Sequence, residues 1–266
     1  MKTIYSLVHL TDITCPPPEL IRTAAKVGFD AVSLRTIPMG LVGENPFNIA
    51  KDHRLFADTK KAAEETGILI HDTENARIAV GVNVANYEAD LDAAARLGIH
   101  HILCNIWTDD KEFYTDQFGQ LCDLAKEYNQ IVSLEFVTWA SVTNLKSAMK
   151  LLQDVQKNNT GIVLDCLHFY RSRVTVEELE KCPKELFHYV HLCDCEKAIP
   201  DDKESLIFTG REARLYPGEG AIPLRKIISK VPQAVRGVEC PNVKRIKLLG
   251  REEHFRRCLE FAKKFA

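Results

Sequence analysis

The sequence predicts a (β/α)8 TIM barrel, and three observations carry that expectation. Short apolar or β-branched runs alternate with amphipathic helical stretches eight times along the chain. Glycine recurs just past the predicted helices and ahead of the next strand, as at Gly28, Gly67 and Gly98. The length of 266 residues matches a single barrel, for which about 250 residues is typical. Alternating strands and helices demand a parallel sheet with right-handed crossovers. An open doubly wound sheet would favour a G-x-G-x-x-G turn after a strand, and the chain has none.

In chain order, the first strand covers Ile4–His9. Pro16-Pro17-Pro18 then opens a helix with apolar positions Leu20, Ile21, Ala24, Ala25 and Val27, closed by Gly28. Ala31–Leu34 is the second strand, ending at Arg35. A loop rich in Gly, Pro and Asn spans 36–48, and a helix follows from about Asp52 to Thr66. Ile68–Ile70 is the third strand, ending in His71-Asp72-Thr73-Glu74. Asn86–Leu97 is helical, and His101–Asn105 is the fourth strand. Lys111–Tyr128 is helical, and Ile131–Phe136 is the fifth strand. Asn144–Gln156 is helical, Gly161–Asp165 is the sixth strand, and Val176–Lys181 is a short helix. His188–Leu192 is the seventh strand, followed by a long irregular stretch, Cys195–Ala221. Pro223–Val231 is helical, Val235–Cys240 is the eighth strand, and Glu252–Phe265 is the last helix. No linker or low-complexity segment divides the chain, so residues 1–266 read as one barrel domain.

Composition narrows the function. The chain carries 35 Lys and Arg against 37 Asp and Glu, a formal net charge of -2, so there is no basic surplus to hold a nucleic-acid backbone. No apolar run is long enough to cross a membrane, and the N-terminus passes straight into a strand pattern without a signal-peptide h-region. The nine cysteines form no C-x-x-C pair, and several sit inside apolar runs. That usage predicts reduced thiols and a cytoplasmic protein. Cys193-Asp194-Cys195 is better explained by chance spacing at a strand end than by a soft-metal site.

In a barrel of this kind the reactive residues lie at the C-terminal ends of the strands. Strand five brings Glu135 there, and strand six Asp165, with His168 just beyond. Strand seven brings His191, with Asp194 behind it, and strand eight Glu239. Each alone reads most simply as a solvated or salt-bridged strand end. Four in succession, each straight after an apolar run, point to a site. Two Glu, one Asp and one His make a mixed oxygen and nitrogen set without thiolate. Such a set suits one divalent ion: Mn²⁺ first, with Mg²⁺, Co²⁺ or Zn²⁺ as alternatives. An ion also explains how three carboxylates crowd together without protonating.

His9 and His71 end strands one and three and are candidates to line the pocket, against the plainer reading of capped or solvated histidines. Trp107, Trp139 and Phe136 follow strands four and five and would suit an apolar wall against a sugar ring. Pro217-Gly218-Glu219-Gly220 is a turn, with Glu219 capping Ile222 and the segment after it. Lys244–Lys247 and Arg251–Arg257 read as solvated faces of a turn and of the last helix.

The ordered motifs L-E-F, L-D-x-x-H, V-H-L-x-D, P-G-E-G and G-V-E resemble the xylose-isomerase-like TIM-barrel superfamily. Within it the chain is most similar to the sugar phosphate isomerase/epimerase group of ketohexose 3-epimerases and inosose dehydratases and isomerases. The stretch 18–34 is similar to the first helix and second strand of that group, so the likeness covers nearly the whole chain. It implies that Glu135, Asp165, His191 and Glu239 are metal ligands, and that Glu135 and Glu239 double as acid/base groups on opposite faces of the substrate. His168 matches a histidine that contacts substrate oxygens. Arg214 matches a substrate-contacting basic residue, with Arg211 and Lys197 as alternatives in the long charged segment before it. The likeness also implies homodimers or homotetramers.

The chemistry follows from first principles. A divalent ion acidifies the C–H beside a substrate carbonyl, and one glutamate removes that proton. Its return from the other face by the second glutamate is epimerisation, and its return to the neighbouring carbon is isomerisation. The leading expectation is therefore a metal-dependent isomerase or epimerase of a small sugar or polyol-derived carbonyl compound. The runner-up is a lyase that dehydrates a keto-inositol or a dehydroshikimate-like acid, for which Arg35, Arg77 and Arg214 are candidate clamps. An endonuclease of the same superfamily would need more histidines at strand ends and a basic face. A non-catalytic binding barrel would have little reason to keep Glu135 and Glu239.

Overall fold

A computed structural model describes residues 2–39 and 47–265. Eight parallel strands close into a barrel in sequence order: β1 (Tyr5–Val8), β2 (Ala31–Arg35), β3 (Leu69–Ile78), β4 (His101–Ile106), β5 (Ile131–Glu135), β6 (Thr160–Asp165), β7 (Tyr189–Leu192) and β8 (Val235–Val238). β1 pairs with both β2 and β8, so the sheet has no free edge. The expected (β/α)8 class is the observed one.

The helices around the barrel are α1 (Pro17–Val27), α2 (His53–Thr66), α3 (Glu88–Arg96), α4 (Lys111–Glu127), α5 (Leu145–Val155), α6 (Cys166–Arg171), α7 (Val176–Glu180), α8 (Lys203–Glu212), α9 (Leu224–Ile228), α10 (Val243–Leu249) and α11 (Arg251–Lys263). The local chemistry explains their ends. Pro17 opens α1, and Gly28 closes it at φ +100°, where its N–H reaches the carbonyls of Ala24 and Ala25. Asp52, Asp110 and Asn144 cap α2, α4 and α5 by accepting a backbone N–H in the first turn. The core lies between the helices and the outward faces of the strands, with Leu20, Phe118, Phe169 and Phe255 among its fully buried members.

The structure departs from the sequence expectation in five places. β3 is ten residues long, not three, and contains the whole His71-Asp72-Thr73-Glu74 run. Polar residues are tolerated in that strand because the closed barrel supplies partners. Ser33 Oγ donates to Asp72 Oδ2 at 2.5 Å, Thr73 Oγ1 donates to the Leu34 carbonyl, and Arg35 pairs with Glu74. His9 lies not in a strand but in a single 3-10 turn over His9–Asp12. A helix, α6, starts directly at the end of β6 and carries His168. The expected irregular stretch contains α8, and the expected turn at Lys244–Lys247 is α10. Most of the loop expected over 36–48 lies outside the described residues. Among the described residues no helix is long and apolar enough to cross a membrane.

Candidate metal centre and substrate pocket

Barrel closure brings four strand ends together. Glu135 closes β5, Asp165 closes β6, His191 sits within β7, and Glu239 follows β8 directly. One ligand atom from each lies within 4.8 Å of the others, and all four residues are buried. Register explains the convergence, since Asp165 pairs with His191 and His191 with Gly237, two residues before Glu239. Gly237 is required by close approach. A Cβ there would stand 2.8 Å from His191 Cδ2, so glycine leaves the room the imidazole occupies.

His191 is the centre of the group. Its Nδ1 lies 3.5 Å from Glu135 Oε1, 3.6 Å from Glu239 Oε2 and 3.9 Å from Asp165 Oδ2. The side chain is fully buried, yet neither ring nitrogen has a hydrogen-bond partner. Orphaned polar atoms in a buried, carboxylate-rich cluster are the signature of a site built to hold a cation. The donor set fits a divalent ion: three carboxylates and one imidazole, with no thiolate. In the metal-free protein, burial opposes protonation of His191 but the flanking Glu239 and Glu135 outweigh it, so its pKa is raised.

Arg214 supplies the compensating charge. Its Nη1 lies 2.6 Å from Asp165 Oδ2 and 2.7 Å from Glu239 Oε2, and its Nε donates to the Gly210 carbonyl at 2.8 Å. Burial alone would raise the Asp165 carboxyl, but Arg214, followed by His168 and His191, holds it far below the usual carboxylate range. Asp165 Oδ1 also accepts the His168 N–H at 2.9 Å, so one carboxylate caps α6 and joins the cluster.

His168 faces the pocket from α6. The Thr138 N–H donates to its Nδ1 at 3.4 Å, which assigns the ring proton to Nε2. Burial first, and then the neighbouring cations, lower its pKa to about 4, although Asp165 pulls it upward. His168 is therefore a neutral donor. Trp139 packs edge-on against it, with ring centroids 4.8 Å apart.

The pocket over this centre has a cavity volume of about 50 Å³. Its walls include Glu135, Glu239, His168 and Arg214 together with residues that sequence reasoning does not assign: Glu74, Asn75 and Asn105. Asn105 Nδ2 donates to Glu135 Oε2 at 3.0 Å and to the Glu135 carbonyl at 3.1 Å, and its Oδ1 accepts from Asn75. A polar residue behind an apolar run marks Asn105 in the sequence, by the rule that found Glu135. The Glu74 carboxyl, its pKa raised mainly by burial, pairs with Arg35 Nη2 at 2.5 Å through Oε2 and leaves Oε1 without a partner. The indole N–H groups of Trp107 and Trp139, both pocket-lining, are also unpartnered, as is Asn75 Oδ1.

Several candidates fall elsewhere. His9 is fully buried outside the pocket; its Nε2 pairs with the Cys15 carbonyl and its Nδ1 accepts the Arg35 N–H. The early turn after β1 draws it inward. His71 stacks on His101, the first residue of β4, and lies near Tyr189, the first of β7. It therefore stands at the N-terminal end of the barrel, because β3 runs on for seven residues beyond it. Phe136 belongs to the core rather than to the pocket wall. Asp194 takes the N–H groups of Cys195, Gly218 and Ile222 and staples the turn at 217–220. Glu219 accepts from the Tyr216 N–H and pairs with Arg245, rather than capping the segment after it. Of the basic alternatives, Arg214 enters the carboxylate–histidine cluster and Arg211 lines the pocket wall, whereas Lys197 does not line it.

Comparison with known proteins agrees with this architecture. The crystal structure of the IOLI protein with a binding zinc atom aligns with a TM-score of 0.82 at 19% identity, over 98% of this chain and 97% of that chain. The D-allulose 3-epimerase from Methylomonas sp. in complex with D-allulose aligns with a TM-score of 0.72 at 14% identity, over 100% and 98%. At these identities the likeness is one of fold. Among curated proteins, the inosose isomerase of Halalkalibacterium halodurans is 31% identical over 156 residues, 55% of this chain and 53% of that protein. The inosose isomerase of Bacillus subtilis is 31% identical over 126 residues, 46% and 43%. The matched stretches thus span about half the length of these relatives. Residues 21–265 match the family model described as the xylose isomerase-like TIM barrel, and the chain belongs to that family.

Proposed function

We propose that this chain is a divalent-metal-dependent isomerase or epimerase of a small polyhydroxy carbonyl compound. The observation that carries the reading is His191: a fully buried imidazole with neither nitrogen hydrogen-bonded, facing three carboxylates from the ends of three other strands. Names of the matched relatives, inosose isomerase and D-allulose 3-epimerase, point to the same class.

Glu135, Asp165, His191 and Glu239 would hold the ion, with Mn²⁺ the best match to the donor set. When bound, the ion supplies Lewis-acid polarisation of a carbonyl and its neighbouring hydroxyl. The chain's own residues do the rest. Glu135 and Glu239 reach the centre from β5 and β8, which β6 and β7 separate, so the two carboxylates flank the space between them. One removes the proton beside the carbonyl and the other returns a proton, to the same carbon for epimerisation or to its neighbour for isomerisation. Asn105 holds Glu135 in place through its two donations. His168 Nε2–H and the indole N–H groups of Trp107 and Trp139 offer donors to substrate hydroxyls; Asn75 Oδ1 and Glu74 Oε1 offer acceptors. Arg214 shares Asp165 and Glu239 with any bound dication, so its guanidinium is placed to turn towards substrate oxygens when the ion is present. The cysteines, all free among the described residues, suit a cytoplasmic enzyme.

Elemental analysis of the purified protein and of Asp165→Ala tests the centre. We expect stoichiometric metal in the wild type and its loss in the variant. A screen of ketoses and keto-inositols in D₂O with Mn²⁺ then reports deuterium entering a carbon-bound position, dependent on Glu135 and Glu239. A dehydrated product in the same assay would identify a lyase instead. A wild type without metal, even after Mn²⁺ reconstitution, refutes the mechanism.

A further inference from the structure

Among the described residues the pocket carries one positive charge more than the proposed machinery needs. Arg211 projects from the last turn of α8 into the same pocket as Glu135, Glu239 and His168. It is half-buried, and among the described residues no carboxylate or carbonyl pairs with its guanidinium. The other pocket arginines have acidic partners: Arg214 with Asp165 and Glu239, and Arg35 with Glu74. Arg77 donates to the Met39 carbonyl and does not line the pocket.

The balance with a dication in place is simple. Glu135, Asp165 and Glu239 bring three negative charges, matched by the dication and Arg214. Arg35 and Glu74 cancel. Arg211 is left over. Burial first, and then repulsion from Arg35 and Arg77, disfavours its charged form, so keeping a cation there is costly. The position is also held firmly. Gly210 lets α8 sit directly against the Trp139 indole, where a Cβ would collide with the ring, and the Gly210 carbonyl accepts from Arg214 Nε. A neutral sugar would cover Arg211 and offer its donors acceptors but no countercharge, leaving a desolvated cation uncompensated, which is unfavourable. A carboxylate or phosphate would match both its charge and its fork of N–H groups.

We propose that Arg211 binds an anionic oxygen group of the substrate, so that this pocket takes acidic polyhydroxy carbonyl compounds in preference to neutral sugars. The inference rests on the pocket being a substrate site, as the metal-isomerase reading holds, and it extends that reading to the class of substrate.

Both tryptophans of the chain line the pocket, so their fluorescence reports occupancy without any turnover. The Mn²⁺-loaded wild type, Arg211→Gln and Arg211→Lys are titrated with D-fructose, 5-keto-D-gluconate and D-fructose 6-phosphate. In the wild type at least one anion should bind about tenfold tighter than fructose or better, the scale of a charge-assisted contact. Arg211→Gln should remove that preference by weakening anion binding while fructose binds at least as tightly as to the wild type, and Arg211→Lys keeps part of the preference. Preference for only one anion identifies carboxylate or phosphate as the group recognised. Equal affinity for all three ligands, no binding by either anion at millimolar concentration, or a parallel loss of fructose and anion binding in Arg211→Gln overturns the inference. The metal content of the same samples separates the two readings. Metal without anion preference leaves the isomerase standing and removes the anion site. Anion preference through Arg211 in a protein that takes no metal does the reverse.

Discussion

Arg214 Nη1 lies 2.6 Å from Asp165 Oδ2, and the same nitrogen lies 2.7 Å from Glu239 Oε2. A single guanidinium nitrogen thus bridges two strand ends that would also ligate a metal. Guanidinium and dication serve the same electrostatic need, and that relation has a measurable consequence.

Arg214→Met should destabilise the metal-free protein strongly, since breaking a buried pair typically costs about 3–5 kcal/mol. Added Mn²⁺ should recover most of that loss, because the ion then neutralises the same carboxylates. Scanning calorimetry with and without Mn²⁺ makes the comparison. Equal destabilisation in both conditions would show that Arg214 and the ion do not share a role.

Gly237→Ala should damage the centre from behind. The new methyl would stand 2.8 Å from His191 Cδ2 and 3.1 Å from Val8 Cγ2, so the imidazole must move. Overpacking of this kind costs about 1–3 kcal/mol in stability. Metal affinity should fall by about tenfold or more, by analogy with losing the support of a ligand. Calorimetric titration with Mn²⁺ measures it, and wild-type affinity in the variant would contradict the proposed role of His191.

Asn105→Ala removes both donations to Glu135 while leaving every proposed ligand in place. Residues that orient ligands typically contribute about 10–100-fold to metal affinity. The same titration should show a loss in that range with a folded protein by circular dichroism. An unchanged affinity would mean Glu135 is held by its backbone alone.

Acid should destabilise the metal-free fold well above the ordinary carboxylate range. His9, His168 and His254 are each pushed down to about 4, and His101 to about 3, in every case chiefly by burial. The unfolded chain protonates these histidines near about 6.5. Between about 4 and 6.5 the unfolded state therefore binds more protons, and stability rises with pH. Two buried carboxyls act in the opposite sense, Asp90 raised to about 6 and Glu74 raised, both mainly by burial, and they are outnumbered. Urea titrations at several pH values should show stability dropping from about pH 6.5 towards 4. A flat profile across that window would contradict the burial assigned to these imidazoles.

The barrel was legible from residue order, because alternation of apolar runs with glycine-closed helices is a local pattern repeated eight times. So were the strands that end in Glu135 and Asp165 or just before Glu239, since a carboxylate after a buried run is visible without coordinates. Features that depend on distant partners are not visible in residue order. β3 looks short in the sequence because His71, Asp72, Thr73 and Glu74 are polar, and only the neighbouring strand supplies Ser33, Arg35 and the Leu34 carbonyl that satisfy them. α8 looks irregular because it contains Gly210 and lacks an apolar stripe, although Asp202 capping the Ser205 N–H is a readable start signal. Three-dimensional packing was needed to place His71 at the N-terminal end of the barrel and to set Asn105 against Glu135. It was needed again to bring Arg214 into the cluster while Arg211 stays at the pocket wall without an acidic partner. Secondary structure follows from periodicity along the chain, whereas the pairing of charges across a closed barrel depends on register between strands far apart in sequence.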